Sequence, residues 1–284
     1  MAPHNFEYHQ YLRQVLKFDG PETNLYVATE KEFSKGQGIE FPYRSYFYAL
    51  GLMHEDLCRL QVGVREFTLK KKSLTVVGSG IVRHWLKNNW KIRNTTALFK
   101  AELFEKPFYS NFLVDYDFFK PGANYVIDLK DDSYDWFSKY LKLLYDEQKN
   151  LKVASGILYS ILESLNNTYK KESSEIVPTR NYVIVRTFDN LLQQEYRNHK
   201  DVGFYSDSLN ISAKHLSDVL KTETGHTTKQ CIEAFVLFEA KSLLKQTGMT
   251  VKEILYWLGY EDPSYFNKLF KAKVGLTPAS YRAN

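Results

Sequence analysis

The chain has 284 residues, of which 44% are hydrophobic and 25% charged, an ordinary composition for a soluble globular protein with room for two domains. The net charge of +5 is a mild basic excess that permits contact with phosphates without proving it. No apolar run is long enough for a membrane helix and no signal peptide is visible, so we expect a cytoplasmic protein with no membrane partner. Two cysteines, Cys58 and Cys231, are too few for a disulfide framework or a cysteine-based zinc site.

Residues 25–130 have mainly the features of short strands joined by turns. Apolar and polar residues alternate over 60–64, which is the period-two signal of a half-buried strand. A second strand is predicted at 74–77, before a Gly-Ser-Gly turn, and a third at 97–104. Short strands at roughly ten-residue spacing indicate a small barrel or a jelly roll.

Residues 131–172 change to a helical pattern. Apolar residues recur every three or four positions over 136–144 and again over 157–165. We expect a helical hairpin that buries its apolar stripes either on the barrel or on a second copy of the chain, and we assign it to homodimer formation. Residues 170–175 are charged and serine-rich and Pro178 follows, so a linker is predicted over 173–179.

The remaining part of the chain, residues 180–284, contains an internal repeat. Residues 221–228 align with 271–278 through shared Lys, Gly and Thr, and apolar positions upstream also coincide. Each copy predicts a helix, a tight turn, a second helix and a closing glycine, and a continuous helix over 228–246 joins the copies. This is the pattern of two helix-turn-helix units, in which a short turn holds the second helix so that its outer face can enter a DNA major groove.

The turns of the repeat carry specific signals. Asn210 and Gly259 occupy equivalent turn positions, where a left-handed backbone is needed. Ser212 and Asp262 are predicted to cap the second helix of each unit, and Pro263 suits the first position of the later one. A connecting helix of about 19 residues spans about 28 Å. That length suits recognition helices set one turn of DNA apart, about 34 Å.

The outer residues of the second helix in each unit are the predicted DNA contacts. Lysines there would bind phosphates, and Asn267 is suited to read a base edge, most naturally that of an adenine. Asp218 lies among the first set and would repel phosphate. The predicted DNA-binding residues are Lys214, His215, Ser217, Lys221, Ser264, Tyr265, Asn267, Lys268 and Lys271.

Residues 180–284 resemble the DNA-binding domain of AraC/XylS-type transcription regulators. The resemblance is carried by Thr250–Ile254, Leu258–Phe266, Phe270-Lys271, Gly275, Thr277-Pro278 and Tyr281-Arg282, and in the first copy by Leu209–Ser212, His215-Leu216, Lys221 and Thr224-Gly225. It implies a non-enzymatic, sequence-specific regulator that binds double-stranded DNA. It also implies an amino-terminal cupin-like barrel that senses a small-molecule effector, followed by dimerising helices.

The predicted fold class is therefore α+β with several domains. Their order is a cupin-like barrel (1–130), dimerisation helices (131–172), a linker (173–179) and an all-α DNA-binding domain with two helix-turn-helix units (180–284). Whether the regulator activates or represses is not contained in the sequence.

Candidate effector contacts in the barrel are Arg44, Tyr46 and Tyr48, with Arg44 facing an anionic or hydroxylated group. An arginine at such a position is more often a surface or strand-pair residue, and aromatic residues there are more often part of the core than of a ligand site. His54 and His84 lack the spacing of a metal-ligand pair, so no metal, cofactor or catalytic residue is predicted.

Two other functions stay open. A cupin-type metal enzyme with an accessory DNA-binding domain would hold a stoichiometric metal ion. A constitutive DNA-binding protein would have a purely structural barrel, with an interior filled by side chains.

Overall fold

The computed structural model describes residues 7–33, 35, 39–55, 58–86, 93–104, 112–175 and 179–283. Up to residue 175 the described residues combine β-sheets with helices, and we call this part the amino-terminal domain. Residues 179–283 contain only helices and form the carboxyl-terminal domain. The predicted combination of a strand-rich first half with an all-helical second half is confirmed.

The amino-terminal domain contains two antiparallel sheets. The described strands are β1 (Leu25–Thr29), β2 (Tyr43–Arg44), β3 (Tyr48–Met53), β4 (Cys58–Val62), β5 (Arg65–Leu69), β6 (Ser73–Val77), β7 (Val82–Leu86), β8 (Asn94–Phe99) and β9 (Val126–Asp128). The first sheet has the order β1-β8-β3-β6-β9 and the second the order β2-β7-β4-β5. The strand predicted over 60–64 is found as β4, where buried residues alternate with more exposed ones. It ends earlier than predicted, because Gly63 and Val64 form the turn between β4 and β5.

Two expectations for this domain need correction. Within the described strands the two sheets stay separate and do not close into one barrel. Local alternation identifies a strand, whereas the partner of each edge strand depends on contacts distant in sequence, so closure was not encoded in the pattern. The strand expected over 97–104 is also too long, because β8 ends at Phe99 and Ala101–Leu103 form a turn of 3-10 helix.

A helical hairpin covers the outer face of the five-stranded sheet, as the periodicity predicts. The helices of this domain are α1 (Tyr8–Gln14), α2 (Glu30–Phe33), α3 (Asp131–Glu147) and α4 (Leu151–Glu175). Phe137 and Leu141 of α3 and Leu158 of α4 share one core with Leu50 and Val76 of the sheet. The apolar stripes are therefore buried on the sheet of the same chain.

Residues 173–175 of the predicted linker belong to a helix instead. Helix α4 continues to Glu175, because its helical hydrogen bonding runs past the charged stretch that suggested a linker. Residues 176–178 of the predicted linker lie outside the described residues, and Thr179 already caps the next helix.

The carboxyl-terminal domain is built around one hydrophobic core. Its described helices are α5 (Arg180–Glu195), α6 (Val202–Ser208), α7 (Ala213–Thr224), α8 (Thr228–Gln246), α9 (Val251–Trp257), α10 (Pro263–Val274) and α11 (Pro278–Ala283). Phe188, Leu216, Phe235, Leu255 and Phe266 come from five of these helices and share the core.

Within the parts of the chain that the structure describes, none of the helices combines the length and hydropathy that crossing a membrane requires.

Candidate DNA-binding interface

The first helix-turn-helix unit consists of α6 and α7. Asn210 in its turn has a left-handed backbone, with φ of +53°. Ser212 caps α7, and its hydroxyl oxygen accepts a hydrogen bond from the backbone N–H of His215 at 3.1 Å. Leu216 and Leu220 on the inner side of α7 are completely buried. The predicted turn, cap and buried face of this unit are all confirmed.

The second unit consists of α9 and α10. Thr250 and Glu253 form the capping box at the start of α9, and these hydrogen bonds lower the pKa of the Glu253 carboxyl. Gly259 in the turn has φ of +76°. Asp262 caps α10, since its Oδ1 accepts a hydrogen bond from the N–H of Ser264 at 2.7 Å. The same order of signals therefore produces the same local structure in both copies.

Helix α8 joins the two units and covers the predicted range of residues. It begins at a capping box between Thr227 and Gln230 and has 19 residues, a length of about 28 Å. Most of its side chains are buried, because one side packs in the carboxyl-terminal core and the other contacts the amino-terminal domain. Cys231, near the start of this helix, is buried and forms no disulfide, as expected for a residue that packs as a small apolar side chain.

The outer faces of α7 and α10 carry the predicted DNA contacts. The exposed members of that set are Lys214, Lys221, Ser264, Tyr265, Asn267, Lys268 and Lys271, whereas His215 and Ser217 are half-buried. All five residues of the set on α10 are exposed, and Tyr265 keeps 51% of its surface accessible. On α7 the two lysines share the exposed face with Asp218. The second recognition helix is thus the better anion-binding surface.

Two basic residues that sequence reasoning missed support the turn of the second unit. Arg197 stacks on the Trp257 ring at 3.9 Å, and its Nε donates a hydrogen bond to the Trp257 carbonyl. Lys200 donates to the carbonyl of Gly259 at 3.1 Å, and partial burial lowers the pKa of its ammonium group. These side chains satisfy carbonyls at the end of α9. No sequence signal connects them to a turn about sixty residues away.

The predicted effector residues do not form one group. The Arg44 guanidinium contacts Glu239 of α8, and Tyr46 is 44% exposed. Both border a cleft between the two domains. The ring of Tyr48 instead stacks on Phe99 at 5.4 Å, within the core between the sheet and the helical hairpin.

A cavity lies elsewhere in the amino-terminal domain, between the two sheets. It is partly open to solvent. Its lining is mainly apolar and includes Tyr11, Tyr43, Arg83, Trp85, Thr96 and Leu98. None of the three predicted effector residues belongs to its described lining.

The histidines considered as metal ligands lie apart. His54 is hydrogen-bonded through both ring nitrogens, to the Tyr134 hydroxyl and the Thr95 hydroxyl, each at 2.9 Å. His84 lies on β7, and burial lowers the pKa of both imidazoles. Across the described ranges, no group of three or more His, Cys, Asp or Glu side chains is placed to hold a metal ion.

The family match lies in the carboxyl-terminal domain. A family model described as a helix-turn-helix domain matches residues 205–284. The xylose operon regulatory protein of Haemophilus influenzae is 36% identical over 83 residues, which cover 29% of this chain and 21% of that protein. The lactose operon transcription activator of Staphylococcus xylosus is 27% identical over 125 residues, which cover 44% of each chain. The chain thus spans less than half the length of these curated relatives.

Among solved structures, the C-terminal domain of AraT, a response regulator from Geobacillus stearothermophilus, is 28% identical. The match covers 37% of this chain and 88% of that one, with a TM-score of 0.35. From Tyr205 onward, the family match covers the two units that the geometry defines. Residues 205–284 therefore match a helix-turn-helix domain, and the carboxyl-terminal part of this chain resembles those of AraC-type regulators.

Proposed function

We propose that this chain is a sequence-specific, DNA-binding transcription regulator whose amino-terminal domain senses a small-molecule effector. DNA binding is supported above all by the pair of helix-turn-helix units at the two ends of α8, each of which has an exposed second helix. The relatives named as operon regulators support the same function. Since DNA is the proposed partner, we place the protein in the cytoplasm.

The spacing of the two units favours binding in successive major grooves. Helix α8 is about 28 Å long, and successive major grooves on one face of DNA lie about 34 Å apart. Lys268 and Lys271 on α10 supply phosphate contacts, and Asn267, next to Lys268, supplies a base contact. Asp218 weakens the anion affinity of α7, so α10 makes the larger contribution to the affinity for DNA.

Selection of bound sites from random double-stranded DNA tests this proposal directly. Two enriched sequence blocks with centres about 10 base pairs apart are expected for one chain. A chain that enriches no sequence, while still binding DNA in bulk, would contradict sequence-specific regulation. Residues 180–284 alone should fold and bind the selected site more weakly, since a separate core supports them.

For the amino-terminal domain we propose a cupin-like sensor with its effector between the two sheets. The cavity there supports a ligand-binding interior over one filled by side chains. The contact of Arg44 with α8 offers a route by which ligand binding can shift the domains between DNA-competent and DNA-incompetent arrangements. A ligand that binds this cavity is expected to change affinity for the selected site.

We also propose a homodimer formed through the outer face of the helical hairpin. Although the apolar stripes of α3 and α4 are buried on the sheet, Leu143, Leu151 and Val153 are exposed on these helices. Sedimentation equilibrium of the whole chain tests this, with Leu143→Lys and Val153→Lys together expected to give a monomer. Wild-type chain that sediments as a monomer at all concentrations would rule out this interface.

A further inference from the structure

The largest fully buried side chain in the described residues is a cation, Arg83, in the wall of the inter-sheet cavity. It lies on β7 and is only 2% exposed. Its Nε donates a hydrogen bond to the Tyr43 hydroxyl at 3.1 Å. Its guanidinium also lies 5.0 Å from the centre of the Tyr43 ring and 5.5 Å from that of Phe47. These neutral neighbours orient the group without balancing its charge.

The charge of Arg83 has no counterpart in the described part of the chain. Its Nη1 is buried and has no hydrogen-bond partner there. None of the ion pairs between described residues includes Arg83. A guanidinium is always charged in proteins, and a buried charge without a partner is costly. Such a group is retained where something else supplies the anion.

The described lining of the cavity supplies no anion of its own. It includes no Asp or Glu. Burial raises the pKa of the Cys58 thiol to about 11 and that of the Tyr11 hydroxyl well above its usual value, so both groups stay protonated at neutral pH. The rest of the wall is mainly aliphatic and aromatic, as in Val15, Phe33 and Leu98. The cavity therefore combines one uncompensated cation with a largely apolar surface.

We propose that this cavity binds an apolar carboxylate, whose carboxylate group pairs with the guanidinium of Arg83. This inference rests on the proposed sensor function and names the chemical class of its effector. Arginine donates two parallel hydrogen bonds to a carboxylate, and charge-assisted bonds of this kind are roughly twice as strong as neutral ones. The apolar lining accepts an alkyl or aryl chain, and contact with it removes that chain from water.

The position of Arg83 also connects the cavity to the other domain. Arg83 pairs with Tyr43 across the β2–β7 ladder, and the next pair is Val82 with Arg44. Tyr43 lines the cavity, whereas the side chain of Arg44 contacts Glu239 of α8. A carboxylate that draws Arg83 away from Tyr43 therefore acts on the strand that contacts the DNA-binding domain.

Calorimetric titration of the full chain with matched acids and amides tests the proposal. The probes are octanoate with octanamide and 3-phenylpropanoate with 3-phenylpropanamide, which differ in charge at nearly constant size. Wild-type protein is expected to bind at least one acid about tenfold or more tightly than its amide, because only the acid carries charge to the guanidinium. Equal affinity for acid and amide would overturn the proposal.

Arg83→Met provides the second arm, and Arg59→Met on the neighbouring strand β4 is its control, since the Arg59 side chain is 48% exposed. In the Arg83 variant, the ratio of the affinity for the acid to that for its amide should fall by about tenfold or more, while the amides still bind. Its melting temperature without ligand should equal or exceed that of wild type, because the substitution removes an unpaired buried charge. The Arg59 variant should bind all four probes like wild type.

The outcomes separate this inference from the sensor function itself. Acid binding that survives in Arg83→Met overturns the role of Arg83, yet leaves the cavity as an effector site. Failure of wild type to bind any of the four probes overturns the proposed ligand class, and the selected-site experiment still decides DNA binding. Should Arg83→Met not fold, the comparison of acid with amide in wild type decides the proposal alone.

Discussion

Arg44 and Glu239 form an ion pair between the two domains, with Nη2 of the arginine 2.5 Å from Oε2 of the glutamate. Glu239 is only 4% exposed, and the Tyr196 hydroxyl donates a second hydrogen bond to the same oxygen at 3.4 Å. The backbone of Arg44 is held as well, because the Gln246 side chain donates to its carbonyl at 3.0 Å and accepts from its N–H at 2.7 Å. Strand β2 is thus fixed to α8, the helix that spaces the two recognition helices.

Breaking this pair should destabilise the folded protein, because it leaves one charge buried and unpaired. Arg44→Met and Glu239→Leu are each expected to lower the free energy of unfolding by about 3 kcal/mol, while the double variant loses much less than the sum. Urea denaturation of the four proteins measures the coupling. Strictly additive losses would mean that the two charges do not stabilise each other.

The burial of Asp189 should give the stability of the protein an unusual pH dependence. It is completely buried on α5 beside Arg65, whose Nε lies 3.2 Å from its Oδ2, and burial raises the pKa of the Asp189 carboxyl despite that positive charge. The folded state therefore holds the proton more tightly than the unfolded state. The stability that Asp189 contributes is complete below pH 3.8, its ordinary pKa, and is lost as the pH rises through the folded value.

Asp189→Asn isolates this effect, because asparagine resembles the protonated acid at every pH. The free energy of unfolding of wild type minus that of the variant should fall as the pH rises above 3.8. Urea denaturation over a pH series measures the difference, and Asp207→Asn, at an exposed position of α6, controls for the loss of one carboxylate. A difference that rises with pH would show that pairing with Arg65 outweighs burial.

Two glycines with the same backbone conformation should differ in their tolerance of a methyl group. Gly225 and Gly259 have φ of +78° and +76°. A Cβ at Gly225 would meet nothing within 4 Å, whereas one at Gly259 would lie 1.8 Å from the carbonyl oxygen of Arg197. Gly225→Ala should therefore cost only the left-handed strain of about 1 kcal/mol. Gly259→Ala should cost at least about 2 kcal/mol more, because backbone has to move.

Urea denaturation of the two variants checks this comparison. Equal losses would place the backbone of Arg197 further from the turn than the structure has it. Since Gly259 sets the entry of α10, its variant should also bind the selected DNA site more weakly than the Gly225 variant, when both are measured at a temperature where both are folded.

The carboxyl-terminal domain was predictable because its signals are local. Ser212 and Asp262 cap the helices that follow them, and Asn210 and Gly259 adopt the left-handed backbone that tight turns require. Each signal acts over three or four residues, so the sequence alone places it. The exposed face of α10 then follows from helical periodicity once Phe266 is assigned to the core.

The amino-terminal domain was less predictable because its decisive contacts are distant in sequence. Closure into a barrel depends on which strands lie at the edges, and alternation within β4 carries no information about that. Arg83 shows no signal at all, since an arginine on a strand is ordinarily a surface residue. The sequence predicts a ligand contact for Arg44, whereas its side chain contacts Glu239, almost two hundred residues away. Only the folded arrangement distinguishes the two arginines.

The lysines of α10 should set the salt dependence of DNA binding. Lys268 and Lys271 are both exposed, and each phosphate contact removed should reduce the slope of log affinity against log salt concentration by about 0.9. Lys268→Ala and Lys271→Ala should therefore weaken binding to all sequences and flatten that slope. Lys142→Ala on α3 is the control. Unchanged slopes would show that neither lysine contacts phosphate.

Asn267 should instead determine specificity at a single base. It is exposed on α10 one residue from Lys268 and carries both a donor and an acceptor, which together match the N6 and N7 positions of adenine. Asn267→Ala should relax the preference at one base position by about 1–3 kcal/mol and leave the salt slope unchanged, because no charge is removed. Site selection with wild type and variant measures both effects, and Ser280→Ala, an exposed polar change on α11, is the control. The contrary result would be a variant that selects the same sequences as wild type at every position but shows a smaller salt slope. The Asn267 side chain would then contact the phosphate backbone, and the base would have to be read by other residues of α10.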